Sequence, residues 1–305
     1  MKLLFLGTSA GRPTLARNVT SIALVFTEDQ NRFWLFDAGE GTQHQLLRSK
    51  LKLGKLNRIF FTHMHGDHLY GLPGILSSRT YYEGAGKLEL YGPPGLRAYV
   101  EGALLYSGAH LNYELEINEI EADGTVLEDS RFKIVAAELK HRIQSFGYRI
   151  EEQPRPGPLN LAYLAQMGLP PGPMYGKLKR GEDIALADGT VIRAKDAVGP
   201  RGIGRIVTIL GDTIQCDTAV RLGEQADVLV HEATFGTGME EKAAAYGHST
   251  FRQAAETAAA AQAKRLVVSH ISARYGDEDV QALIDEIKGV FPNAEAAFDF
   301  LEVSI

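Results

Sequence analysis

The chain has 305 residues, of which 45% are hydrophobic and 23% charged, and its formal net charge is −6. These values are typical of a soluble globular protein with one large α/β domain or two smaller ones, and no apolar run is long enough to indicate a membrane span. The negative charge excludes a protein that grips nucleic acid over its whole surface, so any RNA contact must be local. The single cysteine, Cys216, excludes an intrachain disulfide and fits a reducing cytoplasm.

Short apolar runs bounded by Gly, Asn and Asp predict strands towards both ends of the chain. In chain order the predicted strands are Leu3–Leu6, Ile22–Phe26, Phe33–Phe36, Arg58–Thr62, Phe132–Leu139, Arg205–Leu210, Asp227–Val230 and Leu266–Ser269. Helical stretches separate the later strands, and the Ala-rich segment Thr250–Ala263 is the clearest of them. Strands first and last with helices between them predict two sheets faced by helices, not one doubly wound sheet.

The segment 154–205 departs from this pattern. Prolines and glycines crowd at Pro154–Pro158 and Pro170–Pro173, with a short helix-like piece, Leu159–Met167, between them. The segment is therefore predicted to be an inserted, flexible arm with little core of its own, and residues 1–153 and 206–305 to form the catalytic domain. The arm has eight Lys and Arg but only four Asp and Glu, so it is about +4 and the rest of the chain about −10. This arm is the predicted local RNA contact; the alternative is that 177–180 is a solvated turn.

A dense set of metal-ligand types follows the fourth predicted strand. His63, His65, Asp67 and His68 place three imidazoles and a carboxylate within six positions, a set suited to zinc or a similar divalent ion. Side chains alternate along a strand, so His63 and His65 point to the same side. Gly66 then allows a turn that directs Asp67 and His68 to a second point. One ion cannot easily use all four groups, so the spacing predicts two ions with further ligands from elsewhere.

Four other candidate residues share one position relative to the predicted sheets. His141, Asp212, His231 and His270 each follow a predicted strand, and active groups in α/β proteins collect beyond the carboxyl ends of strands. We therefore predict that these residues are metal ligands or support the ligands. For His231 two interpretations stay open, a structural group or a contact to the product end.

Several further motifs accompany these candidate ligands. They are Phe5–Gly11, Arg17–Asn18, Asp37–Gln43, Gly172–Gly181, His231–Thr234 and His248–Thr250. The dense histidine set with its later ligands resembles the metallo-β-lactamase superfamily. The further motifs narrow the resemblance to the ribonuclease Z family of tRNA 3′-processing enzymes, in its short bacterial form, also called ribonuclease BN. The match runs in order from residue 3 to Tyr275.

The resemblance implies an α/β fold, the αββα metallo-β-lactamase sandwich of two mixed sheets flanked by helices, with the arm inserted. It also implies two zinc ions per chain, a homodimer, and precursor tRNA as the substrate. The ligand types themselves would also suit Co²⁺ or Mn²⁺ as substitutes, and the single cysteine and the lack of a membrane span indicate a cytoplasmic protein without membrane contact. The arm would clamp the tRNA elbow, and its Lys177, Lys179 and Arg180 are the candidate RNA contacts. Arg274, near His270, is a candidate phosphate contact, for which a surface salt bridge is the alternative.

The resemblance further implies a ligand set for each ion and one bridging residue. The sets are His63, His65 and His141 for one ion and Asp67, His68 and His270 for the other, with Asp212 as the bridge. Asp37 is implied to support the ligand loop. Asp67 would also accept a proton from the attacking water or orient it, while His248, paired with Glu232, would protonate the leaving 3′-oxygen.

Two alternative functions remain open on sequence grounds. The first is another hydrolase of the superfamily, acting on a small ester or thioester; the basic arm argues against it, because a small substrate has no use for such an arm. The second is a non-catalytic RNA-binding or metal-storage protein, against which the complete ligand set argues. Within the nuclease hypothesis, endonucleolytic cleavage alone and cleavage with 3′-exonucleolytic trimming both remain open.

Overall fold

A computed structural model of the chain describes residues 1–154 and 156–305. The strands are β1 (Lys2–Gly7), β2 (Ser9–Ala10), β3 (Ser21–Phe26), β4 (Arg32–Phe36), β5 (Leu56–Phe60), β6 (Leu88–Gly92), β7 (Leu115–Glu119), β8 (Gly124–Glu128), β9 (Phe132–Leu139), β10 (Ser145–Glu152), β11 (Ile184–Ala185), β12 (Val191–Ile192), β13 (Ile206–Leu210), β14 (Val228–Glu232), β15 (Leu266–Ser269), β16 (Ile271–Ser272), β17 (Ala294–Ala296) and β18 (Glu302–Ser304). The helices are α1 (Thr42–Arg48), α2 (Gly66–Leu69), α3 (Leu72–Arg79), α4 (Leu96–Ser107), α5 (Leu161–Gln166), α6 (Pro173–Lys179), α7 (Ala194–Ala197), α8 (Asp217–Gly223), α9 (Glu240–Tyr246), α10 (Phe251–Ala260) and α11 (Asp277–Ile287), with a 3₁₀ turn at Leu53–Lys55.

The described residues form two compact units. The first comprises Met1–Glu128, Ile134–Ile150 and Ile206–Ile305, and the second comprises Asp129–Lys133 and Glu151–Arg205. The large sheets have seven strands each, in the orders β18-β1-β3-β4-β5-β6-β7 and β17-β15-β14-β13-β10-β9-β8. The first sheet is mixed, because β4 pairs antiparallel with β3 but parallel with β5. In the second sheet β13, β14, β15 and β17 are parallel neighbours.

Aromatic side chains pack the two sheets of the first unit against each other. Tyr148 on β10 lies 5.8 Å from the Phe36 ring and 5.4 Å from the Phe60 ring, both on the first sheet. The Tyr148 hydroxyl is buried and donates a hydrogen bond to the Phe61 carbonyl oxygen at 2.6 Å. The sheets therefore face each other across an aromatic layer, and the end of β5 is bonded to the middle of β10.

Helices cover the outer face of each sheet. Leu46 of α1, Ile75 of α3 and Val100 of α4 are buried against the first sheet. Phe251 of α10 and Ile284 of α11 are buried in the corresponding layer on the second sheet. This layering of helix, sheet, sheet and helix confirms the predicted αββα sandwich. Within residues 1–154 and 156–305, no helix combines the length and the apolar character that crossing a membrane requires.

The second unit has a hydrophobic core of its own, so the prediction of an arm with little core was wrong. Its buried residues are Leu164, Leu169, Leu178, Ile184, Ile192, Ala194 and Ala197. They come from three short helices, the β11–β12 hairpin and, for Leu169, the loop after α5. The prolines and glycines interrupt these elements but leave each with one or two apolar side chains, which together suffice for a small cluster. Arg155, which contributes to the positive charge of the arm, lies outside the described residues.

Candidate metal centre

The candidate ligands come from loops and short helices at strand ends of the first unit. His63 and His65 follow β5, and α2 begins at Gly66, so Asp67 and His68 lie in its first turn. Asp212 follows β13 after Gly211, where a Cβ would lie 2.6 Å from the Thr62 Cβ. Only glycine therefore lets the end of β13 come this close to the segment that carries the histidines.

The first group of converging donor atoms belongs to His63, His65, His141 and Asp212. The His63 Nε2 atom lies 3.0 Å from His65 Nδ1, which in turn lies 3.3 Å from His141 Nε2. The Asp212 Oδ2 atom is 3.6 Å from His63 Nε2. Three imidazole nitrogens and one carboxylate oxygen thus surround one point.

The second group consists of Asp67, His68 and His270. The two Nε2 atoms of His68 and His270 are 3.3 Å apart, and Asp67 Oδ2 lies 3.3 Å from His270 Nε2 and 3.5 Å from His68 Nε2. Asp212 also reaches this group, with Oδ1 3.6 Å from His68 Nε2 and Oδ2 3.4 Å from His270 Nε2. Asp212 therefore lies between the two groups and offers an oxygen to each.

These separations fit divalent ions. Donors bound at about 2.0–2.1 Å in a tetrahedron lie about 3.3–3.4 Å from one another, and the separations in the two groups, 3.0–3.6 Å, lie around that value. Nitrogen with carboxylate oxygen is a donor set that zinc and its first-row neighbours accept. The fold and the two His/Asp groups thus indicate a metal-binding protein.

The outward nitrogen of each of four histidines has its own hydrogen-bond partner. His68 Nδ1 lies 2.7 Å from Asp37 Oδ2, and His141 Nδ1 lies 2.6 Å from the Gly247 carbonyl oxygen. For His63 and His270 the partners are the Thr62 and Thr234 hydroxyl oxygens at 3.0 and 2.9 Å. Such contacts keep the hydrogen on Nδ1 and leave Nε2 unprotonated towards the centre. Four of the five candidate histidines are thus held in a ligand-ready tautomer.

Two residues of the centre have backbone conformations that side-chain-bearing residues rarely adopt. The φ angles are +60° at Asp37 and +54° at His270. A left-handed conformation outside glycine costs about 1 kcal/mol or more and persists only where surrounding contacts enforce it. Asp37 receives hydrogen bonds from the Thr62 backbone N–H and hydroxyl, both at 2.8 Å. These contacts hold the carboxylate against His68.

The two ligand groups differ in their electrostatics. Burial lowers the pKa of His63 well below its ordinary value and lowers the pKa of His65. Both therefore present neutral imidazoles, the form that binds metal. Burial also opposes a charge on His68, but the carboxylates of Asp212 and Asp37 raise its pKa well above the ordinary value. The carboxylates of Asp37, Asp67 and Asp212 thus surround His68 with negative charge, which favours a cation at the second group.

Beside the second group, Glu232 and His248 form a buried ion pair. The His248 Nδ1 atom lies 2.9 Å from Glu232 Oε1. Burial disfavours the charged imidazole, but the hydrogen bond and the charge of Glu232 raise the pKa of His248 to about 9. Burial also opposes ionisation of Glu232, and the hydrogen bond from His248 nevertheless lowers its pKa. The pair consequently holds a proton on His248 at neutral pH.

A cavity of about 370 Å³ opens beside both features. The residues that line it are Ala10, Gly11, His65, Asp67, Asp212, Thr234, Phe235, Lys242, Tyr246, His248, His270, Ser272 and Arg274. The Arg274 guanidinium lies 4.8 Å from the centre of the Phe235 ring, and its Nε donates to Ser272 Oγ at 3.0 Å. Among the residues that the structure describes, no carboxylate pairs with Arg274, which lines the cavity.

Several predicted residues lie elsewhere. His231 is fully buried, and its Nδ1 bonds the Glu232 carbonyl oxygen. Because neighbouring side chains on a strand face opposite sides, His231 lies on the helix-covered face and does not line the cavity. Lys177, Lys179 and Arg180 belong to the second unit, where Lys177 and Lys179 are exposed and Arg180 pairs with Glu182 at 2.7 Å. Their RNA contacts stay a prediction.

Some contacts of the centre were not predicted from the sequence. The Gly11 backbone N–H donates to Asp67 Oδ2 at 2.8 Å, and Thr62 and Thr234 bond ligand histidines. Lys242 and Tyr246 line the cavity from α9. Gly11 and Thr234 lie within motifs on which the family resemblance rests, so the sequence did mark both residues as candidates. No sequence motif marked Lys242 or Tyr246.

The comparisons with known proteins agree with this geometry. A family model described as a beta-lactamase superfamily domain matches residues 32–204. A protein named ribonuclease Z from Bacillus licheniformis is 52% identical over 305 residues, covering 100% of this chain and 99% of the relative. Ribonuclease Z of Bacillus subtilis is 48% identical over 305 residues, again covering 100% and 99%. The crystal structure of the short form of human tRNase Z has a TM-score of 0.72 and 30% identity, and the match covers 100% of this chain and 99% of that one.

Three observations agree. A relative shares about half of its residues with this chain over essentially the whole length, and a structure of the same family superposes over its full length. The two groups of candidate metal ligands are an arrangement typical of the fold. The chain belongs to the ribonuclease Z family of the β-lactamase superfamily.

Proposed function

We propose that this protein is a metal-dependent phosphodiesterase that cleaves RNA and matures the 3′ ends of precursor tRNA. The observation that carries the proposal is the pair of ligand groups sharing Asp212, with a protonated His248 at their edge. Phosphodiester hydrolysis needs an activated water, neutralisation of the phosphate charge and protonation of the leaving oxygen. Membership of the ribonuclease Z family supports tRNA as the substrate.

The residues present fit two zinc ions. His63, His65 and His141 would hold one ion, Asp67, His68 and His270 the other, and Asp212 would bridge them. When bound, such a pair of ions lowers the pKa of a water and neutralises charge on the phosphate. Co²⁺ and Mn²⁺ accept the same donors and would substitute.

The chain itself supplies the proton transfers. Asp67 points one carboxylate oxygen at the second ligand group and is held there by the Gly11 N–H at 2.8 Å. It would orient the attacking water and accept its proton. When the bond between phosphorus and the 3′-oxygen breaks, His248 would give its proton to that oxygen, and Glu232 would stabilise the charged imidazole until then.

The remaining parts of the proposal concern recognition and assembly. Arg274 would contact a phosphate next to the cleaved one, because its guanidinium lines the same cavity as Asp67 and His248. Residues 154–205 would form the RNA-binding arm, with Lys177, Lys179 and Arg180 as phosphate contacts. We further propose a cytoplasmic homodimer, on the basis of the family.

The test is incubation with an end-labelled precursor tRNA, with product length read against time. We expect a single early product cut at the 3′ end of the acceptor stem, loss of cleavage after chelation, and its return when Zn²⁺, Co²⁺ or Mn²⁺ is added. Later shortening of that product would reveal exonucleolytic trimming as well. A protein that ignores precursor tRNA but hydrolyses small esters after metal return would instead support the small-substrate hydrolase.

A His248→Ala variant tests the proton donor. We expect it to keep both metal ions yet cleave precursor tRNA about 10²–10⁴-fold more slowly, the range that general acids contribute. Bis(p-nitrophenyl) phosphate has a good leaving group that needs little protonation, so its hydrolysis should fall much less. His44→Ala, which changes an exposed histidine on α1, is the matched control and should behave as the wild type. Equal losses on both substrates would show that His248 only positions other groups.

A further inference from the structure

Thr234, two residues after the strand that ends at Glu232, has a hydroxyl shared by two functional groups. Its Oγ1 atom lies 2.8 Å from Glu232 Oε2 and 2.9 Å from His270 Nδ1. The residue is only 7% exposed, so these contacts are largely shielded from water. Thr234 therefore joins the candidate metal ligand to the partner of the candidate proton donor.

The positions of the hydrogen atoms determine which group donates each of these hydrogen bonds. His270 turns Nε2 towards the Asp67 and Asp212 oxygens, so Nε2 is its ligand atom and Nδ1 carries the hydrogen. His270 Nδ1–H consequently donates to Thr234 Oγ1. The hydroxyl has one proton of its own to donate. Its two possible acceptors are the Glu232 carboxylate at 2.8 Å and the His270 carbonyl oxygen at 3.1 Å, and the carboxylate is both nearer and charged. The chain of donors runs from His270 through Thr234 to Glu232.

The Glu232 carboxylate ends this chain and is fully occupied. Its Oε2 also accepts from the Thr234 backbone N–H at 3.0 Å. Its Oε1 accepts from His248 Nδ1 at 2.9 Å, the Ser249 N–H at 3.0 Å and the Thr213 N–H at 3.2 Å. A carboxylate with donors on both oxygens has one orientation, which in turn fixes the direction of His248.

We propose that Thr234 is a positioning residue whose hydroxyl sets the tautomer of His270 and donates the shorter of the two hydrogen bonds to Glu232 Oε2, and so couples the second ligand group to the His248 acid. The inference rests on the proposed nuclease function. Without the hydroxyl, His270 loses the acceptor for Nδ1–H and can turn or change tautomer, while Glu232 loses a donor. Outer partners of ligand histidines contribute about 10–100-fold to metal affinity or activity.

The test compares Thr234→Val, which keeps shape and β-branching, with Thr234→Ser, which keeps the hydroxyl. Thr208→Val is the matched control, because Thr208 on β13 is also buried but donates its hydrogen bond to the Leu222 carbonyl oxygen, away from the ligands. We expect Thr234→Val to bind the weaker of its two Zn²⁺ ions about 10–100-fold less tightly. Its rate on precursor tRNA should also fall more than its rate on bis(p-nitrophenyl) phosphate. Thr234→Ser should recover most of both losses, and Thr208→Val should show neither.

A second test uses the wild-type protein and therefore does not depend on whether the variants fold. In the zinc-loaded protein the His270 Nδ1–H should give a downfield, slowly exchanging proton signal in NMR, and an unprotonated Nδ1 would overturn the inference. The inference would also be overturned if Thr234→Val had the same zinc affinity and the same rates as Thr208→Val, or if Thr234→Ser recovered neither the zinc affinity nor the rate. If the wild type leaves precursor tRNA intact, the nuclease proposal fails, while zinc affinity and the Nδ1–H signal still decide the role of Thr234.

Discussion

Asp212→Ala is expected to lower RNA cleavage by about three orders of magnitude or more and to leave fewer than two metal ions per chain. Asp212 is 3% exposed, and its oxygens lie 3.4–3.6 Å from the Nε2 atoms of His63, His68 and His270. Two ions together stabilise transition-state charge by several kcal/mol. A loss of about 4 kcal/mol corresponds to a roughly thousandfold slower reaction.

No other side chain can replace the bridging oxygens. Asp67 already belongs to the second group, and the Glu232 carboxylate is occupied by Thr213, Thr234, His248 and Ser249. Gly211 also keeps the end of β13 tight against Thr62, so the backbone cannot bring a neighbouring residue into the gap. The vacated space would be filled by water, which lacks the negative charge that holds two cations together.

Metal content by elemental analysis and rates on both RNA and a small phosphodiester measure this effect. The matched control is Asp227→Ala, since Asp227 is an aspartate at the opposite end of the neighbouring strand, bonded to the Ile206 N–H and Lys264. Asp212→Ala should lose activity on both substrates, whereas Asp227→Ala should keep activity on both. An Asp212→Ala protein that retained two ions and the normal rate would defeat the assignment of Asp212 as the bridge.

The positions of the candidate ligands could be predicted because they depend on local signals. A run of apolar residues that ends in a histidine or aspartate marks the end of a strand, and parallel strands bring such ends to one edge. This reasoning located Asp212 and His270 after the parallel strands β13 and β15, and the strand-end signal alone located His141 after β9. It failed for His231, because β14 was predicted to end at Val230 but runs to Glu232. His231 therefore still lies inside the strand and faces the opposite side from Glu232.

Contacts between residues far apart in sequence could not be predicted in this way. Thr234 bonds His270 across 36 positions, and Gly11 bonds Asp67 across 56. Neither pair leaves a periodic pattern, since each depends on how loops meet after the sheets have packed. The core of the second unit escaped prediction for a similar reason. Its apolar residues are spread over three helices, a hairpin and a loop, and no single element has a clear amphipathic period.

Deleting the arm is expected to separate RNA binding from the chemistry. The change removes Pro158–Val198 and joins the ends with a short Gly/Ser bridge. The geometry suits it, because Gly199 N–H donates to the Pro158 carbonyl at 2.8 Å, and a Cβ on Gly157 would lie 2.1 Å from the Gly199 carbonyl oxygen. The residues of the arm's core all lie within the deleted segment, so no half of that core is left exposed.

Affinity for RNA depends on the number of phosphates that cations neutralise, whereas hydrolysis of a small phosphodiester depends only on the metal centre. We therefore expect the deletion to weaken tRNA binding on the order of 100-fold or more at physiological salt. Precursor processing should collapse with it, while bis(p-nitrophenyl) phosphate hydrolysis should stay within about twofold of wild type, because the ligands lie outside the deletion.

A milder variant changes Lys177, Lys179 and Arg180 to Ala. Removing one cation that neutralises a phosphate flattens the slope of log affinity against log salt by about one. Lys177 and Lys179 have no ion-pair partner among residues 1–154 and 156–305, whereas Arg180 is already paired with Glu182. The slope should accordingly fall by about two, not three.

The control for the milder variant removes three exposed cations from the first unit, Lys50, Lys52 and Arg221, and keeps the same net charge change. If general charge attraction were the cause, both triple variants would lose the same affinity. We expect only the arm variant to lose affinity and slope, because its cations would contact phosphates directly. Should the deletion protein process precursor tRNA with unchanged affinity and salt slope, the arm is no RNA clamp. The tRNA would then be recognised by residues of the first unit, and the basic arm would no longer be an argument for the nuclease over a small-substrate hydrolase.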